Sequence, residues 1–227
     1  AGLASMGKKV FTVSPSSFLT TRAFEQVKND IAYSNFAVKL IGISSGVSYG
    51  ALGSTHHSTH DFASLLAISN IDVIVPADNS ETRETIKASL HHHKPLFIRL
   101  GRKAMPDFEK ASSNFQIGKS ILMRDGKDAF IIATGETVWP ALQAGEMLTQ
   151  LGITCGVVSM HTLRPFDFPA LDTIASSVSA ILTCEEHNVH GGLGSICASY
   201  LIRNKHCLAF ESVGIPDFPI KAGSQEE

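Results

Sequence analysis

The stretch YGALGSTHHSTHD, residues 49–61, holds the residue types best suited to chemistry in this chain. Gly46, Gly50 and Gly53 permit backbone at positive φ that can approach a ligand closely. His56 and His57 add imidazoles that donate or accept a proton near neutral pH. Other clusters compete with this one. GISSG at 42–46 fits the GxSxG spacing of a serine-hydrolase elbow, with Ser44 as nucleophile, but such an elbow needs a helix directly after the serine and a glycine-rich loop follows here. GGLGS at 191–195 lacks both the GxGxxG spacing and the later acidic residue of a dinucleotide site, so it reads as a tight turn. His91, His92 and His93 would diverge around a helix axis rather than converge on a metal, and read as a solvated helix end. EEH at 185–187 reads as a polar cluster between domains without a catalytic role.

Strands and helices must hold these residues in place. VKLIGIS at 38–44 reads as a buried parallel strand and a helix begins near Thr59, so the loop between them lies at the carboxyl end of a strand, where open α/β sheets bind ligands. Before it come a strand at 9–13 and a helix at 18–33, with Phe24, Val27 and Ile31 at helical spacing. After it come the strand IDVIVP and a helix opened by Asp78 with Glu81 at capping-box spacing, Ile86 and Leu90 sharing one face and the end falling near His92. A strand at 96–100 completes the first half. The polar segment KAMPDFEKASSNFQIGK reads as a surface linker. The second half alternates again: strands at 129–134, 154–160, 180–184 and 207–210, and helices at 138–151, 168–177 and 193–203. Leu142, Met147 and Leu151 are expected to face inward from the first of these helices. Such alternation specifies two doubly wound, mostly parallel α/β units in series. Their boundaries fall at residues 1–103 and 118–227, with a linker at 104–117.

Of the 227 residues, 44% are apolar and 18% charged, which suits a soluble globular chain with an adequate core. A formal charge of −2 with mixed signs leaves no footprint for nucleic acid, and no apolar run reaches the length of a membrane span. Cys155, Cys184, Cys197 and Cys207 sit singly in apolar segments and read as reduced core cysteines. The chain opens without Met and closes soon after a strand, so natural sequence is expected beyond both ends.

In order and spacing, AGLASMGK, SPSSFLTTRAFEQVK, GVSYGALGSTHHSTHDFASL, IDVIVPADNSET and PLFIRLGRK resemble the pyrimidine-binding domain of the transketolase family of thiamine-diphosphate enzymes. ATGETVWPALQA, HTLRPFD and TCEEHNVHGGLGS resemble the family's carboxyl-terminal domain. The resemblance covers nearly the whole chain and is strongest to the smaller, carboxyl-terminal polypeptide of a split transketolase.

That resemblance implies transfer of a two-carbon ketol unit between sugar phosphates by a cytoplasmic enzyme. Thiamine diphosphate is its cofactor, with Mg²⁺ held by the partner half. Phe18 matches the aromatic that stacks on the aminopyrimidine, His56 the histidine at the reacting end of the substrate, and Arg102 an arginine that grips the sugar phosphate. His57 and His60 match nothing fixed by the family. Arg99 reads as structural, and Arg22, Glu25 and Gln26 as helix-packing and interface residues. Two departures bear on the substrate: Leu52 stands where an aspartate usually meets a substrate hydroxyl, and Ser44 where a histidine is usual, which keeps Ser44 in the substrate set. The glutamate that activates the cofactor and the diphosphate-binding GDG motif are both absent from this sequence. Activity is therefore expected only with an amino-terminal, diphosphate-binding subunit, in a homodimer or heterotetramer. Deoxyxylulose-phosphate synthase and the β subunit of 2-oxo acid dehydrogenase E1 share this half and are the alternatives, RLGRK replacing the RYPRG expected of the synthase. A partner-binding subunit that kept the fold and lost the chemistry is the non-enzymatic alternative.

Overall fold

A computed structural model describes residues 1–107 and 115–225. Half of the linker expected at 104–117, residues 108–114, lies outside the described residues. A single helical turn, α1 (Gly2–Ser5), precedes β1 (Val10–Pro15). A helical stretch in three pieces follows, Phe18–Arg22, Phe24–Gln26 and Val27–Tyr33, together termed α2. Its outer pieces are wound wider than an α-helix, as Ala23 N–H reaching back to the Phe18 carbonyl shows. Thr20 Oγ1 donates to the Ser16 carbonyl at 2.9 Å, the kind of back-bonding that diverts a helix from its regular ladder. Val27 and Ile31 are buried as their spacing requires, and Phe24 packs against the core.

β2 (Val38–Ile43), β3 (Asp72–Ile74) and β4 (Leu96–Arg99) alternate with α3 (Asp61–Leu66) and α4 (Asn79–Ser89). In the second half come β5 (Ile121–Arg124), β6 (Ala129–Ala133), β7 (Cys155–Ser159), β8 (Thr162–Arg164), β9 (Ala180–Asn188) and β10 (Ala209–Ile215). Their helices are α5 (Val138–Gln150), α6 (Phe168–Ala175) and α7 (Leu193–Arg203). Among the described residues these strands make two five-stranded sheets, ordered β1-β2-β4-β3-β8 and β10-β9-β6-β7-β5. Pairing is parallel except where β8 meets β3 and β5 meets β7.

β8 joins the halves, for it belongs to the second half of the sequence and closes the first sheet. Arg164 fixes it there, donating to the carbonyls of Leu66, of Ile68 at 2.6 Å and of Ile71 at 3.3 Å. One hydrophobic core then runs through both halves, from Leu19, Phe62 and Phe97 to Phe130, Leu171 and Leu193.

Several sequence expectations need correction. On α5 the buried residues are Val138, Ala141 and Gly145, with Leu142 half-buried, while Met147 is 66% and Leu151 76% exposed. The inward face continues from Gly145 to Leu148, which packs on the core, so Met147 lies off that face and Leu151 past the helix end, and both meet solvent. α4 buries Glu81, Thr85 and Ser89, whereas Leu90 lies past its end and is 41% exposed. That polar face is accepted because the Glu81 carboxylate takes Ala77 N–H and Ser159 Oγ–H, each at 2.7 Å. Asp78 caps the helix as expected, accepting from Glu81 N–H at 2.7 Å. The reciprocal half of the capping box is not made, since Glu81 reaches Ala77 instead of Asp78. Cys207 is exposed rather than part of the core, and Cys184 is half-buried. α3 starts at Asp61 rather than Thr59, and β10 runs from Ala209 to Ile215 rather than over 207–210.

Candidate active site

The glycine loop leaves β2 through Gly46 at φ 60° and folds into a short tight helix, Gly50–Thr55, kinked at Gly53 where φ is 64°. Ser58 N–H closes the loop onto the Gly46 carbonyl at 2.7 Å, and His56 N–H is held by the Gly53 carbonyl at 2.9 Å. This geometry turns the half-buried His56 ring toward Phe18, which sits in the wide first turn of α2. The two ring centroids are 5.2 Å apart, tilted by 57°. Tyr49 meets His56 edge-on at 4.9 Å, and cations stand at both ends of the row. The Arg22 guanidinium is 4.6 Å from the Phe18 centroid and that of Arg102 is 5.5 Å from the Tyr49 centroid. Arg22, Phe18, His56, Tyr49 and Arg102 thus form one ladder, and three residues singled out from sequence fall within it.

Thr55 Oγ1 holds His56 Nδ1 at 2.9 Å, which leaves Nε2 as the nitrogen that can exchange a hydrogen bond beyond the protein. Ser44 is buried in the turn after β2 at φ 49°, outside the ladder. Leu52 is 54% exposed on the loop. His57 is buried with Nε2 3.3 Å from the Gly50 carbonyl, and His60 Nε2 lies 3.4 Å from Thr20 Oγ1, so both brace the loop. Arg102 also lines a cleft of about 330 Å³ with Lys103, Asn79 and Thr82 at the start of α4.

Behind the loop lies a network that sequence reasoning only touched. Asp61, fully buried, accepts from Ser16 Oγ at 2.8 Å, Ser58 Oγ at 3.1 Å and Arg99 Nε at 2.8 Å. Burial alone would raise the Asp61 pKa, but Arg99 beside it brings the carboxyl below its usual range. The Arg99 guanidinium donates on to the Glu186 carbonyl at 2.8 Å and stacks 4.6 Å over Phe62. His187 stacks on Phe62 at 4.7 Å; its Nε2 accepts from Ala63 N–H at 3.3 Å, so Nδ1 carries the proton donated to the Asn188 carbonyl at 2.7 Å. Burial lowers its pKa and keeps that ring neutral. Glu185 accepts from Leu193 N–H at 2.7 Å and Gly194 N–H at 2.9 Å, and burial pushes its pKa up to about 7. Its carboxylate therefore fills the amino end of α7, the place a dinucleotide phosphate would need. Arg99 and the EEH segment are seam residues, in keeping with the polar-cluster reading. What the sequence did not reveal is that Arg99 ties this segment to Asp61, for which only nearness to His56 along the chain could have been a signal.

Among the described residues no group of three or more His, Cys, Asp and Glu side chains could hold a metal, and no helix is long and apolar enough to cross a membrane. His92 Nε2 pairs with Asp72 Oδ2 at 2.9 Å instead.

Comparison with known proteins bears on the two domains that carry this arrangement. Residues 1–107 match the model of the transketolase pyrimidine-binding domain and residues 118–227 that of the transketolase C-terminal domain. A subunit of the apulose-4-phosphate transketolase of Phocaeicola vulgatus is 42% identical over 100% of this chain and 72% of its own length. The 1-deoxy-D-xylulose-5-phosphate synthase of Halothermothrix orenii is 32% identical over 96% of this chain but only 34% of that protein. A solved structure described as a split gene transketolase, inactive beta4 tetramer, superposes with a TM-score of 0.87 at 34% identity, covering 95% of this chain and 70% of that one. With both domain models accounting for nearly every residue and a subunit-sized relative matched along the whole of this chain, the chain belongs to the transketolase family.

Proposed function

We propose that this chain supplies the pyrimidine-binding and carboxyl-terminal domains of a thiamine-diphosphate enzyme that transfers a two-carbon ketol unit between sugar phosphates, acting only with a diphosphate-binding subunit. The observation that carries the reading is the 5.2 Å approach of Phe18 and His56, which brings a flat apolar ring and a proton-exchanging imidazole to one place. The residues fit the ring end of the cofactor: Phe18 is half-buried and its other neighbour, Arg22, is an exposed side chain able to move aside. The diphosphate and Mg²⁺ belong to the partner in this reading.

When bound, thiamine diphosphate supplies the carbon nucleophile and the electron sink for carbon–carbon cleavage. This chain's residues position and transfer protons. Phe18 backs the aminopyrimidine through its ring face. His56 Nε2 exchanges a hydrogen bond with a substrate hydroxyl or carbonyl oxygen, its ring fixed by Thr55 and Tyr49. Arg102 offers a guanidinium fork to the sugar phosphate at the cleft mouth. Ser44 stays in the substrate set by position alone, since it stands where the family usually has a histidine.

Relatives named as subunits support a second polypeptide, and the inactive tetramer of the structural relative supports inactivity of this chain alone. The synthase reading is the weaker one, since its match spans a third of that protein and the segment around Arg102 reads RLGRK. The test combines the chain with a diphosphate-binding subunit, thiamine diphosphate and Mg²⁺ in a ketol-transfer assay. Transfer is expected only from the mixture, and His56→Ala should lower kcat/KM by roughly 10²- to 10⁴-fold. Transfer by the chain alone, or an unimpaired His56→Ala, would sink the reading.

A further inference from the structure

Two carboxylates cross from the second sheet to the loops that carry the ladder. Glu136 leaves the turn after β6, and Glu186 lies near the end of β9. A Cβ at Gly101 would collide with Glu136 Oε1, and one at Gly46 would collide with Glu186 Oε2. Each carboxylate lies directly against its loop, in the space a Cβ would take. Val47 N–H also donates to Glu186 Oε1 at 3.2 Å. Gly101 immediately precedes Arg102, and Val47 leads into Tyr49, so the two carboxylates brace both stretches of backbone that end in ladder residues.

Two acidic side chains held this near each other need donors between them. Gln225 provides them: its Nε2 lies 3.0 Å from Glu136 Oε2 and 3.0 Å from Glu186 Oε1, using both amide hydrogens on two carboxylates. Arg99 Nη1, 4.0 Å from Glu186 Oε2, adds a positive charge. The segment that delivers Gln225 also rests on the glycine loop. A Cβ at Gly50 would collide with the Gly223 carbonyl oxygen, and one at Gly53 would meet Ala222 Cβ at 3.2 Å. The same short segment therefore touches the His56 loop and ties together the two braces beside Tyr49 and Arg102.

We propose that Gln225 is a positioning residue: by bridging Glu136 and Glu186 it locks residues 222–225 over the glycine loop and so sets His56, Tyr49 and Arg102 for the substrate. This rests on the function proposed above. The mechanism depends on donor chemistry rather than on size. Lys at this position would still donate to two carboxylates, whereas Glu would place a third acceptor between them and expel that segment.

The experiment compares Gln225→Glu and Gln225→Lys in two measurements. In the chain alone, amide hydrogen exchange is followed across residues 46–57. With the partner subunit present, KM and kcat for the sugar phosphate are determined. A hydrogen bond to a charged group is typically worth enough that Gln225→Glu should speed exchange in that segment by roughly tenfold or more. KM should rise by about the same factor while kcat stays within about twofold, because ground-state and transition-state binding are weakened alike. Gln225→Lys should stay close to the unsubstituted chain in both. Equal behaviour of the two variants, or unchanged exchange in Gln225→Glu, would overturn the proposal. If no ketol transfer is seen with any chain, the function reading fails and the exchange data still decide the clamp.

Discussion

Asp61 and His56 belong to one short segment, yet their surroundings are built on opposite rules. Asp61 is sealed from water, and Ser16, Ser58, Arg99 and the Phe62 N–H, at 3.0 Å, together occupy its two oxygens. His56 is half-buried and is held mainly by ring contacts, with one hydroxyl on Nδ1. The first arrangement fixes the end of the loop against both sheets; the second leaves a reactive nitrogen facing outward. In the proposed function His56 exchanges protons with a substrate, and a group with that task cannot be saturated by its own protein, so rigidity has to be supplied by neighbours that are.

The contrast breaks most severely at Asp61. Asp61→Ala leaves the Arg99 guanidinium buried without its carboxylate, and removing one partner of such a pair costs about 3–5 kcal/mol. The denaturation midpoint should fall accordingly, while His56→Ala, which removes two ring contacts, should cost only about 1–3 kcal/mol. A larger loss of stability in His56→Ala than in Asp61→Ala would show that the two clusters are not divided in this way.

Much of the frame was legible from residue order. The strands β1, β2, β4, β6 and β7, the cap at Asp78 and the site loop after β2 all follow from apolar runs and turn residues read locally. The partners of the seam were not, because Asp61, Arg99 and Glu186 come from distant segments that only the fold brings together. β8 was missed for a related reason: three residues between a buried histidine and a proline carry no period, and their pairing with β3 depends on Arg164 finding carbonyls near the end of α3. Phe18 and His56 could be named from resemblance, but the wide turn that aims Phe18 at His56 cannot be read from helical spacing. α4 misled in part: Ile86 packs on the core as its spacing suggests, but Leu90 lies past the helix end, and the deepest burial goes to the side whose glutamate has partners.

Glu81 gives the next largest effect and tests whether the seam resembles a charged or a neutral joint. Burial raises its pKa from the ordinary 4.5 to about 7 despite hydrogen bonds from Ser159 and Ala77. The native state therefore holds this proton over a range in which the unfolded chain has lost it. The resulting stability is fully present below about pH 4.5 and is lost as pH rises through about 7. Glu81→Gln keeps the shape without that titration, so relative to the unsubstituted chain it should gain up to about 3 kcal/mol between pH 5 and pH 8. Both chains must be compared at each pH, because buried His161, lowered by burial to about 4, contributes in the opposite sense as the unfolded chain loses its proton there. A difference that does not grow with pH would mean that Glu81 is ionised in the fold.

The ladder itself should tolerate change. Phe18→Leu removes one aromatic contact with His56 while keeping an apolar side chain, and an aromatic pair is worth about 0.5–1.5 kcal/mol. The expected shift in midpoint is therefore about 1 kcal/mol, against a far larger loss of ketol transfer in the reconstituted enzyme. Comparable losses in both would place Phe18 among the structural residues with Asp61.

The smallest effect tests whether the corrected face of α5 is real. Met147 and Leu151 are the apolar residues expected inward with Leu142, yet Met147 lies five residues from Leu142 and so on a different face of the helix. Here the inward face runs through Val138, Ala141, Gly145 and Leu148, and a Cβ at Gly145 would meet Val157 Cγ2 at 3.4 Å, so the backbone comes close to the sheet there while Met147 lies off that face. Met147→Lys should then change stability by less than about 0.5 kcal/mol, since its side chain already meets water and Lys is a comparable helix former. A fall of several times that amount would mean the end of α5 is covered in the assembled enzyme, and repeating the measurement with and without the partner subunit identifies whether that subunit is the cover.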